Sequence, residues 1–192
     1  MTEEEFIQLH IPTGVGLKGA IGWKFVVPKI SHPVFLATYQ ALITYIVKSV
    51  GEDPEKINRE IKEAGRTIGT FIYSEYLMTA KGVVSKNPED FARLYNLGFK
   101  VLTGKPFDRV SAFRSKDGKK FKIIWEITEC PLCHKLASPV KGVKICNIFS
   151  GVVEAIEIPR LPEWGASKIQ VDEVECRADG DEKCKWVLII EY

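Results

Sequence analysis

Five cysteines carry most of the chemistry open to this sequence, and they fall into three groups. Cys130-Pro131-Leu132-Cys133-His134 sets two thiols two residues apart, a spacing at which both can bind one tetrahedral ion. The same string is a literal C-x-x-C-H, the attachment sequence of c-type haem, and it contains a dithiol that could cycle redox states. Haem iron wants a second axial ligand such as methionine, and Met78 is the only internal one. A redox dithiol usually stands in a βαβ setting, which the flanking residues do not supply. Cys176 and Cys184 are separated by Ala178-Asp179-Gly180-Asp181, which can turn the chain and bring the two sulfurs together. Cys146, further upstream, could add a third sulfur and a fourth group would close a tetrahedron. Spacing alone leaves zinc ligation and a set of small buried core thiols both open.

Two further motifs have chemical readings. Gly14-Val15-Gly16-Leu17-Lys18-Gly19 is a literal G-x-G-x-x-G, but a dinucleotide site needs a helix immediately after it. Ala20-Ile21-Gly22-Trp23 follows instead, broken by glycine and β-like, so the string reads as a loop. Trp23, Tyr73, Phe113, Phe121, Trp125 and Phe149 form an aromatic set that would fill a core or line an apolar ligand cavity.

Residues 1–30 read as an extended segment, with a strand over Ile21–Val27. Ser31 is placed to cap a helix with Pro33 in its first turn, running to about Ser49. That helix is apolar nearly all round, which predicts burial on several sides or in a subunit interface. Asp53-Pro54 opens a second helix, with Ile57, Ile61, Ala64, Ile68 and Ile72 at helical spacing, ending near Lys81-Gly82. A third begins at Asn87-Pro88 and closes at Gly104 and Pro106. Phe107–Ser115, the turn Asp117-Gly118 and Lys119–Thr128 predict a β-hairpin. After the cysteine loop, Val143 to Ile156 reads as a short helix, and Ile169–Arg177 and Lys185–Glu191 as two strands. Helices followed by strands indicate an α+β domain, with N-terminal helices packed on a C-terminal antiparallel sheet.

A chain of 192 residues is long enough to bury a core without disulfides. A net charge of +2 is too small to make nucleic acid the expected partner. An odd number of clustered thiols suits metal ligation in a reducing compartment. The acidic start Met1-Thr2-Glu3-Glu4-Glu5 is unlike a signal peptide, and the apolar stretch Val34–Val47 is shorter than the roughly 20 residues of a membrane span. A cytoplasmic protein with no membrane span is expected.

The segment from Asp172 to Cys184 contains Glu173-Val174-Glu175-Cys176-Arg177-Ala178-Asp179-Gly180, and it resembles the closing motif of the 4-vinyl reductase domain family. Lys144-Ile145-Cys146-Asn147-Ile148-Phe149-Ser150-Gly151 is similar to that family's Cys-to-Gly segment. The likeness covers about Ile43 to Tyr192 and is strongest over the last 50 residues. It implies a TRAPP-like α+β fold over 31–192 that binds a hydrocarbon or aromatic small molecule, as in bacterial aromatic sensors and archaeal hydrocarbon-binding proteins. It further implies zinc held by Cys146, Glu173, Cys176 and Cys184, and a ligand pocket lined by Trp125. Phe149 is a second candidate for that pocket. Residues 173 and 176 differ by three, so a regular strand would point them to opposite faces, and both can ligate only if the strand bulges. Cys130 and Cys133 leave open another set, with Cys146 and a fourth group. An enzyme or reductase subunit and a dimeric scaffold are the competing functions, and a homodimer is expected through the first helix.

Overall fold

The protein, described here from a computed structural model over residues 6–10, 31–77 and 88–192, is built around one antiparallel sheet. Its elements in chain order are β1 (Phe6–Leu9), α1 (His32–Val50), α2 (Pro54–Ile72), α3 (Pro88–Thr103), β2 (Arg109–Ser115), β3 (Lys120–Ile127), α4 (Asn147–Glu157), β4 (Lys168–Glu175) and β5 (Cys184–Glu191). The strands lie in the order β1-β2-β3-β5-β4, and every neighbouring pair is antiparallel. The α+β architecture expected from the sequence is therefore the one observed. The strand expected over Ile21–Val27 and the glycine string 14–19 lie outside the described residues.

Alternation decides which face of the sheet is covered. On β3 the buried residues are Phe121, Ile123, Trp125 and Ile127, and on β5 they are Cys184, Trp186, Leu188 and Ile190. Trp125 stands opposite Trp186 and Ile127 opposite Cys184, so one continuous face carries both the aromatic core and a cysteine.

The helices cover that face, with α4 between α2 and β4. Asp53 caps α2 by accepting from the Glu55 and Lys56 N–H groups at 3.0 and 3.2 Å. Beyond Ile57 and Ile61, the buried positions of α2 are Gly65 and Gly69 rather than further isoleucines. The reason is backbone proximity. A Cβ on Gly65 would stand 2.1 Å from the Ile148 carbonyl oxygen, and one on Gly151 would stand 1.9 Å from that of Lys62. The displaced Ile68 and Ile72 face a cavity instead. A buried carboxylate locks the same interface. Glu154 receives Lys62 at 2.9 Å, Arg66 at 2.7 Å and the Val171 N–H at 2.7 Å, joining α2, α4 and β4.

The α-helical geometry of α2 passes at Ile72 into a π-helical turn, Tyr73–Leu77, and the end expected near Lys81-Gly82 lies outside the described residues. α4 starts at Asn147, because Val143 and Asn147 close turns onto Val140 and Lys144, leaving Cys146 at the helix N-terminus. Ser31 precedes α1 without a capping side-chain hydrogen bond. α1 itself is buried along one stripe only, Tyr39, Ile43 and Ile46, while Val34 and Tyr45 are 52% and 70% exposed. With 19 residues and a mean hydropathy of 1.2, α1 is the one described helix long and apolar enough to cross a membrane by length and composition.

Candidate metal centre and the cavity beside it

The bulge that joint ligation by Glu173 and Cys176 requires is present. Glu173 pairs with Trp186 and Glu175 with Lys185, so Val174 is an extra residue on β4. That single insertion reverses the parity of the strand and turns Cys176 to the side of Glu173. A short 3₁₀ turn, Arg177–Asp179, then leads through Gly180 at φ +103 back to Cys184 at the start of β5.

Six donors converge under this turn. The ligand atoms of Cys146, Glu173, Cys176 and Cys184 all lie within 4.8 Å of one another, and so do those of Cys130, Cys133, Cys146 and Cys184. All six residues are buried. The Sγ separations are 3.7 Å for Cys130–Cys146, 3.5 Å for Cys133–Cys184 and 4.0 Å for Cys146–Cys184. Thiolates bound at ~2.3 Å to one tetrahedral ion lie about 3.8 Å apart. The cluster could therefore hold a metal ion.

The backbone around these donors is held by polar contacts that leave the donors themselves available. The Cys176 N–H donates to Asp181 at 2.6 Å, and Lys144 pairs with Asp179 at 3.0 Å and Asp181 at 2.7 Å. The Arg177 N–H points at the Cys184 sulfur at 3.4 Å, an orientation that favours a thiolate. Trp186 Nε1 donates to the Cys146 carbonyl at 3.3 Å, and the Tyr39 hydroxyl donates to that of Ile145. Neither carboxylate oxygen of Glu173 has a hydrogen-bond partner among the described residues, although the side chain is 7% exposed. Burial, and then the neighbouring Cys176 sulfur, push its carboxyl well above the usual range. Burial pushes the Cys146 thiol up as well. A buried carboxyl without partners is costly, and a cation is the simplest group that would satisfy it.

A cavity of about 1020 Å³ adjoins the cluster. Its wall comes from α1 (Phe35), the end of α2 (Ile68, Ile72), α3 (Phe99), α4 (Phe149) and the loop carrying Cys130 and Cys133. Phe149 thus lies on the wall. Trp125 stands one ring behind it, fully buried, with centroids 5.9 Å from Phe149 and 5.7 Å from Tyr95. All five cysteines are described, and none of them lines the cavity.

Sequence reasoning missed the polar end of this wall. The buried Glu157 carboxylate accepts from the Tyr95 hydroxyl at 2.7 Å and from Arg160 at 2.7 and 3.0 Å, and all three residues line the cavity. The available signal was a pair of carboxylates, Glu154 and Glu157, on the same stripe as Val153 and Ile156 in an otherwise apolar helix. Burial raises the Glu157 carboxyl to about 7, against the opposing pull of Arg160 and the Tyr95 hydrogen bond. The folded chain therefore holds more protons than the unfolded one from the ordinary carboxylate range up to about pH 7, and stability falls as pH rises through that window. Glu157→Gln should flatten this fall in denaturant titrations at successive pH values. An unchanged slope would contradict the assignment.

The sequence matches no family model and no curated protein. Solved structures are similar at the level of fold. A trafficking protein particle complex subunit 3 from Naegleria fowleri, covalently bound to palmitic acid, matches with a TM-score of 0.65 at 22% identity, over 84% of this chain and 95% of that one. The phenol-responsive sensory domain of the transcription activator PoxR, with phenol, matches at 0.50 and 14%, over 82% and 74%. A vinyl-4-reductase family protein from Methanocaldococcus jannaschii matches at 0.45 and 18%, over 91% and 88%.

Proposed function

We propose that this chain is a small-molecule-binding sensor domain of the 4-vinyl reductase type. It holds a hydrocarbon or aromatic ligand in the cavity, and zinc bound by Cys146, Glu173, Cys176 and Cys184 staples the turn beside it. The observation that carries the reading is the cavity, whose volume of about 1020 Å³ is at the upper end of ligand pockets and whose wall is mostly aliphatic and aromatic. The two similar structures at TM-scores of 0.65 and 0.50 hold palmitic acid and phenol, which is consistent with an apolar occupant. Phe149 contacts it directly and Trp125 backs Phe149.

For the metal, the orphaned Glu173 oxygens favour the set that includes them. Thiols left over as neutral groups cost little, whereas a carboxyl left over without partners costs more. Three thiolates and a carboxylate form a closed site with no open position for substrate, which argues for a structural ion and against a hydrolytic one. Free thiols and zinc suit the cytoplasm. The exposed side of α1, with Val34 and Tyr45, would pair in a homodimer, and light scattering that finds only monomer would remove that interface.

Gly98 offers the test. It lies on the cavity wall, and a Cβ there meets nothing within 4 Å. Gly98→Phe should fill the cavity, lowering affinity for an apolar fluorescent probe by about tenfold or more, with a melting point within a few degrees of the parent. Unchanged probe binding in a folded variant would place the ligand elsewhere.

A further inference from the structure

One ion needs four donors, and the cluster contains six. The two sets of four share Cys146 and Cys184 and differ in what completes them: Glu173 and Cys176 from β4 and its turn, or Cys130 and Cys133 from the loop between β3 and α4. The loop thiols are close to the shared pair, at 3.7 Å (Cys130 to Cys146) and 3.5 Å (Cys133 to Cys184). These separations match those of thiolates on one tetrahedral ion. The residues interleaved with the loop thiols, Glu129, Pro131, Leu132 and His134, all line the cavity. Cluster and cavity wall are therefore interleaved along one six-residue stretch, with each thiol flanked by wall residues on both sides.

We propose that Cys130, Cys133, Cys146 and Cys184 form a second, all-thiolate seat for the same divalent ion, and that this seat ties the 129–134 wall of the cavity to α4 and β5. The inference rests on the zinc reading above. In either seat the divalent ion meets four anionic donors, so a move from the first seat to the second takes one proton each from Cys130 and Cys133 and returns one each to Glu173 and Cys176, leaving the net charge unchanged. What changes is the attachment. With the ion on Glu173 and Cys176, the loop thiols are neutral and the wall is free to move. With the ion on Cys130 and Cys133, the wall is fixed and exchange of a bound molecule is slower. Sulfur-only ligation suits soft cations, so cadmium should favour the second seat more than zinc does.

Glu173→Gln removes a donor from the first seat alone. The variant should keep about one zinc per chain, surrounded by four sulfurs at ~2.3 Å in X-ray absorption. Adding Cys130→Ser and Cys133→Ser to it should then weaken zinc binding by roughly a thousandfold or more. An apolar fluorescent probe should leave Glu173→Gln more slowly than it leaves the Cys130→Ser/Cys133→Ser variant. A folded Glu173→Gln that loses zinc as fully as the triple variant would overturn the second seat. A wild-type chain that binds no zinc would instead overturn the reading beneath it, so the two failures are distinguishable. The cadmium-113 resonance needs no variant of the first seat: the signal of cadmium-loaded wild type should lie on the more sulfur-rich side of that of Cys130→Ser/Cys133→Ser. Coincident resonances would overturn the proposal even if Glu173→Gln did not fold.

Discussion

Cys184→Ser should leave the chain unable to hold an ion in either arrangement. Cys184 belongs to both four-donor sets, and its sulfur also accepts the Arg177 N–H that shapes the preceding turn. Structural zinc contributes on the order of 10 kcal/mol to small domains, so losing it here, even with partial compensation, should cost about 5 kcal/mol. For a chain of this size that corresponds to roughly 10–20 °C in melting temperature. Metal removal from the parent by a strong chelator should give a similar loss, and Cys184→Ser should be insensitive to the same chelator. Cys130→Ser should do much less, because the set containing Glu173 and Cys176 survives it. Equal damage at Cys130 and Cys184, measured by thermal unfolding, would mean that the loop thiols are the principal ligands.

Gly151→Ala should destabilise the fold by a route independent of any metal. The added methyl carbon would stand 1.9 Å from the Lys62 carbonyl oxygen, and also 2.8 Å from the Arg66 backbone nitrogen. Backbone cannot rotate away as a flexible side chain can, so α2 and α4 must separate. Their separation would stretch the Glu154 contacts to Lys62 and Arg66. We expect a loss of about 3 kcal/mol or more, near the upper end for overpacking. Gly98→Ala, on a helix with open space around the new methyl group, should be neutral or stabilising by up to about 1 kcal/mol. Opposite outcomes for these two glycines in denaturant unfolding would check the packing directly. Comparable outcomes would contradict it.

The parts of the molecule that were legible in its sequence are those governed by local rules. Asp53-Pro54 marks a helix start because a carboxylate can accept the free N–H groups of the first turn, and Asp117-Gly118 marks a hairpin because Gly118 takes φ +73. The requirement for a bulge between Glu173 and Cys176 followed from strand parity, and the shift in pairing at Val174 meets it. Other features depend on elements distant in sequence. The isoleucine stripe of α2 suggested which face is buried, but contact with α4 selected Gly65 and Gly69 and turned Ile68 toward the cavity. No local pattern marks a cavity assembled from four helices and a loop. The Tyr95–Glu157–Arg160 network joins residues 62 apart. The placement of Trp125 behind Phe149, rather than on the wall, likewise depends on how α3 and α4 lie over the sheet.

Metal content and X-ray absorption on the native chain, purified without added metal, test the central claim most directly. The account predicts about one zinc per chain, with three to four sulfurs at ~2.3 Å, any remaining ligand a carboxylate oxygen, and no bound water. A chain that is folded and metal-free, with all five thiols reacting rapidly with a thiol reagent, would contradict it.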